Sequence, residues 1–175
     1  DAFIRHAGSL ALARIGKAEP IVALADHPSA AVRMAAVISL RRLQDPGIRN
    51  FLNDTDEYIV TEAARAINDD YSIEDALPAL GNVLKDTKFT NEALLRRAIN
   101  ANLRVGTEES MQNLIGYAQL ESAPVEMRNE AIAALSTWAK PSVLDRVDGR
   151  YRGAIERDPT EVRLKAAEPL AQLTS

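Results

Sequence analysis

The sequence predicts an all-α protein, an α-α superhelix of about eleven helices in about six stacked repeats. Three observations predict it: one helical pattern that returns along the chain, a spacing suited to helical pairs, and a core vocabulary of small and aliphatic residues. The pattern is clearest in Ala30–Leu43, an alanine-rich segment with apolar residues at Val32, Ala35, Ala36, Leu40 and Leu43. Counted from Val32, these fall on one face of a helix that turns about 100° per residue. The pattern returns from Ile4 (Ala7, Gly8, Leu12, Ile15), Ile59 (Ala63, Ile67), Leu95 (Ala98, Ile99, Leu103), Met127 (Ala131, Leu135, Trp138) and Val162 (Ala166, Leu170, Leu173). The anchors are 28, 27, 36, 32 and 35 residues apart, the period of stacked helical pairs. Aromatic residues make up only 5% of the chain, so the core is expected to be Ala, Leu, Ile and Val, which suit closely approaching helices.

Between the pattern helices, shorter helices are predicted at Glu19–Ala25, Pro46–Asn53, Ile73–Lys85, Glu108–Gln119 and Ser142–Glu156. His27-Pro28, Asp45-Pro46 and Lys140-Pro141 punctuate the turns. Ser72 with Asp75 resembles a capping box, and Glu108-Glu109 place negative charge at a helix start. Asp158-Pro159-Thr160-Glu161 combines an N-cap carboxylate, a proline at the first helical position and an early Glu. Pro78 and Pro169 fall inside helical patterns and predict a kink or an early end.

An arginine follows the anchor in five of the six copies, as Arg5, Arg33, Arg96, Arg128 and Arg163, with Val60 in the third. These Val-Arg-x-Ala-Ala helices, the Asp-Pro and His-Pro turns before them, and Asp75-Ala76-Leu77-Pro78-Ala79-Leu80 resemble the HEAT repeat family, in its short bacterial, phycobilisome-lyase-like form. The resemblance implies an armadillo/HEAT-type solenoid with a convex and a concave side, its neighbouring repeats tied by arginine–aspartate ladders. Where Val60 replaces the arginine, stacking is expected to lean on apolar contact. Three phrases, residues 63–71, 94–103 and 138–151, look like the HEAT segment of large bacterial dehydrogenase-like proteins. In that group a β-propeller precedes the repeats and a c-type cytochrome module often follows. That likeness implies an oxidoreductase context and an exported or periplasmic setting. Residues 1–175 are accordingly expected to be one HEAT-repeat solenoid, a piece of a longer multidomain protein.

Composition narrows the chemistry. A formal charge of −4 and a pI near 5.3 argue against wholesale binding of phosphate backbones, which needs clustered Lys and Arg. The chain has no cysteine, which removes disulfides, thiolate metal sites and cysteine nucleophiles. No apolar run reaches the length of a membrane span. His6 and His27 are isolated, and neither a His-Glu-x-x-His nor a Gly-x-Ser-x-Gly phrase occurs. No catalytic residue, metal or cofactor is expected in this segment; the expected partner is protein, either neighbouring domains or another chain, with no nucleic acid and no membrane contact.

If the apolar stripe faces the core, offsets 2, 5 and 9 from each anchor are expected to line the concave surface. They are His6, Ser9 and Ala13; Met34, Val37 and Arg41; Thr61, Ala64 and Asn68; Arg97, Asn100 and Arg104; Asn129, Ile132 and Ser136; Leu164, Ala167 and Ala171. The binding candidates among them are His6, Met34, Val37, Arg41, Thr61, Arg97, Asn100, Arg104, Asn129 and Ile132. Arg97, Asn100 and Arg104 form a polar centre with donors suited to a carboxylate, a phosphate or a partner's backbone. The competing reading is a solvated helix face. Trp138 is assigned to the core. Two loops add candidates. Asn68-Asp69-Asp70-Tyr71 gathers carboxylates but lacks calcium-loop spacing, which favours capping and turn formation. The loop 145–151, with Asp145, Asp148 and Arg150, carries an Asp148-Gly149 turn signal and reads as a salt-bridged loop or docking element. The leading expectation is a non-catalytic scaffold or protein interaction module. A HEAT-like solenoid enzyme of the bilin lyase or DNA glycosylase type and a free-standing peptide-binding adaptor remain alternatives.

Overall fold

The computed structural model describes residues 2–85 and 89–171. Its regular structure is helical: α1 (Ala2–Ile15), α2 (Glu19–Val22), α3 (Ala30–Leu43), α4 (Glu57–Asn68), α5 (Leu77–Asn82), α6 (Glu92–Val105), α7 (Glu108–Gln119), α8 (Val125–Ser136) and α9 (Pro159–Ala171). Three 3-10 helices, Ala23–Asp26, Pro46–Asn53 and Glu74–Ala76, lie between them. Each of the six pattern segments is a helix. Side-chain oxygens cap two of them and α7: Asp56 accepts from the Tyr58 N–H, Asn91 from Leu94, and, at the start of α7, Thr107 from Ser110. α9 begins at the predicted Pro159, with Asp158 accepting from the Thr160 N–H at 2.8 Å.

The short helices depart further from expectation. Pro46–Asn53 is a 3-10 helix throughout, started by Asp45 on the Gly47 N–H. Ser142–Glu156 forms no helix. Ser142, Asp145 and Asp148 each bond a backbone N–H two residues on, to Leu144, Val147 and Arg150, and these local turns compete with helical bonds. The Asp145 N–H donates to the Arg150 carbonyl at 2.7 Å, Leu144 bridges Tyr151, and Gly149 (φ 72°) and Gly153 (φ 90°) adopt backbone that other residues avoid. Ser72 is not a helix cap. It has φ 54°, and its hydroxyl donates back to the Asn68 carbonyl at 2.7 Å, closing α4 instead of opening the next helix. Pro78 is the second residue of α5, where a missing N–H costs nothing, so no kink is needed there. Pro169 lies inside α9. The side chains of Arg5 and Leu170, and Leu173 entirely, lie outside the described residues.

The contacts gather into two compact units, Asp1–Ala79 and Leu80–Ser175. In the first, α3 packs between α1 and α4, with α2 and the 3-10 helices Ala23–Asp26 and Pro46–Asn53 laid against them. Leu40, Ile48, Phe51, Ile59 and Ile67 are fully buried there. One rung of the expected ladder is present: Arg33 grips both oxygens of Asp54, at 2.6 and 3.1 Å, and also donates to the His27 carbonyl. Val60, in place of the third arginine, is fully buried. In the second unit α8 packs against α6 and α7, and α9 against α7. Leu94, Leu95, Ile99, Tyr117 and Trp138 are buried, Trp138 as assigned. Arg96 there pairs with Glu92 and Glu130, and Arg128 donates to the Ala118 carbonyl, so these two arginines do not extend the aspartate ladder.

This packing corrects the expected open face. A pattern helix buries two faces, one under a short helix and one against the next pattern helix, so offsets 2 and 5 are mostly interior. Met34, Val37, Thr61, Arg97 and Asn100 are buried, as are Ser9, Ala64 and Asn68. Arg41, Arg104 and Ile132 are half-buried, and only His6 and Asn129 of the binding candidates stand exposed.

Candidate functional site

In the second unit, two sets of residues chosen from separate parts of the sequence turn out to be each other's partners. Loop 142–157 folds back so that Asp145, whose side chain is 0% exposed, meets α6. Its carboxylate accepts from Asn100 Nδ2 at 2.9 Å, from Arg152 Nε at 3.2 Å and from the backbone N–H groups of Val147 and Asp148 at 2.8 and 3.2 Å. Arg104 Nη1 lies 3.5 Å away. Burial works to raise the Asp145 pKa, but these donors outweigh it and hold the carboxyl below its ordinary range. Asp148 accepts from Arg152 Nη2 at 2.8 Å and lies 3.8 Å from Arg150 Nε. Arg146 reaches Glu130 on α8. Arg97 turns away and donates to the Ala93 carbonyl at 2.7 Å.

Arg152 and Arg157, which no motif singles out, complete this arrangement. Arg157 lies 4.7 Å over the ring of Trp138 and donates to the carbonyls of Trp138, Leu103 and Arg104. A cation there meets the free carbonyls at the end of α6, where the helix dipole is negative. The polar centre of the sequence is therefore an internal staple that fastens the loop to α6. A cavity of about 20 Å³ remains beside Asn100, Arg104 and Asp145, the size of a single water.

Open surface lies elsewhere. In the first unit a groove of about 550 Å³ runs over Val37 and Ile38, edged by Arg41, Arg42, Gln44, Glu62, Asp70 and Tyr71. Here Val37 and Arg41, chosen from the helix pattern, meet Asp70, chosen from the acidic loop; Arg41 Nη2 and Asp70 Oδ2 are 2.6 Å apart. The loop makes turns, as its composition favours: Ser72 N–H to the Asp69 carbonyl, Ile73 N–H to that of Ile67. Asp70 has φ 59°, and Tyr71 between Asp70 and Ser72 is 83% exposed. Among the described residues no group of three His, Cys, Asp or Glu is placed to hold a metal ion.

In the second unit a groove of about 440 Å³ lies between α8 and α9, lined by Ile132, Leu135, Ser136, Val162, Ala166 and Ala167 among others. Three of these, Ile132, Ser136 and Ala167, belong to the predicted concave stripe. The predicted stripe is thus open at copies five and six, reaches the surface at copy two only through the half-buried Arg41, and is closed at copies three and four. A further polar hollow of about 260 Å³ surrounds the Arg33–Asp54 rung. No described helix is long and apolar enough to cross a membrane. Compared with known proteins, the chain matches no family, no curated protein and no solved structure.

Proposed function

We propose that this chain is a non-catalytic interaction module, a HEAT-type helical-repeat scaffold that holds a protein partner or a neighbouring domain in its open grooves. One observation carries the reading: Val37, Arg41 and Asp70, selected from two unrelated sequence features, come together in a single open groove, beside the exposed ring of Tyr71. An apolar floor with an arginine rim and a projecting aromatic is the make-up of a protein contact, where Tyr and Arg concentrate binding energy. The polar groups best equipped for chemistry, by contrast, are engaged with one another around Asp145. The solenoid arrangement of the repeats, and a place within a larger oxidoreductase of the propeller and cytochrome kind, belong to this proposal through the sequence resemblance.

The test is capture from an extract of the source cell on the immobilised chain, beside an Arg42→Glu/Tyr71→Ala variant shown to melt like the wild type. The expected result is a defined protein retained by the wild type and lost by the variant. Identical recovery on both contradicts the groove as the working surface.

A further inference from the structure

We draw no further inference here: the strongest candidate, the groove over Val37 and Ile38 in the first unit, belongs to the site already described, and with Arg41 and Arg42 set against Glu62 and Asp70 on its rim nothing in the structure shows what covers it.

Discussion

Asp145 shows how a residue's surroundings decide its role. Its carboxylate is fully enclosed, with Arg152 and Arg104 as charged neighbours whose side chains are only 10% and 11% exposed. Asp145→Ala removes an enclosed carboxylate shared by Arg152, Arg104, Asn100 and two backbone N–H groups, and is expected to cost about 3 kcal/mol, read from urea unfolding. Asp145 and the less enclosed Asp54 both have pKa values lowered in the folded state, Asp54 because the Arg33 and backbone hydrogen bonds outweigh its burial. Their stabilisation is complete above the unfolded value of about 4 and is lost as pH falls through the folded values. The melting temperature is therefore expected to drop on acidification below about pH 4, and less steeply in Asp145→Asn. Tyr117 is the opposite case. Burial pushes its pKa up to about 12, and among the described residues its hydroxyl has no hydrogen-bond partner. Tyr117→Phe is expected to raise stability by up to about 1 kcal/mol, and to remove the loss that sets in above about pH 10, where the unfolded chain ionises first. The sequence marks Asn100 and Asp145 separately, but nothing in it pairs residues 45 positions apart, so the staple was not legible.

At the scale of elements, what was legible is what periodicity and caps encode. The six pattern helices and the Asp158-Pro159 start are local signals, and α7 runs over its predicted span. The 142–156 loop was misread because its apolar residues permit a helix, while three side-chain turns and two positive-φ glycines favour a loop that only the tertiary staple stabilises. Gly106 is the joint of that staple. It ends α6 at φ 68°, and a Cβ there would strike the Arg157 guanidinium. Gly106→Ala is accordingly expected to cost about 1 kcal/mol or more in backbone strain and to push Arg157 off Trp138. Because Trp138 is the only tryptophan, its fluorescence reports the displacement directly. A spectrum shifted to the red in Gly106→Ala and in Arg157→Ala is the expected result; unchanged spectra in both place the stacking outside the staple.

At the scale of the molecule, the helical class was legible and the open surface was only partly so. Counting one apolar stripe per helix treats each repeat as if it met a single neighbour. The structure gives a pattern helix two, which buries Met34, Val37, Thr61, Arg97 and Asn100. Exposure survives where the second neighbour stops short, at Ile38, Arg41 and Tyr71 in the first unit and at Ile132 and Ala167 in the second. The molecule's polar and apolar features thus divide into a staple that holds and open grooves that we propose bind a partner. Hydrogen exchange with mass spectrometry, on the chain alone and with its captured partner, separates the two most directly. Slowed exchange is predicted in residues 37–44 and 69–72, with segments 97–104 and 142–157 protected equally in both states. Protection that the partner adds in 97–104 and 142–157 alone contradicts the account, because the staple is then the binding site.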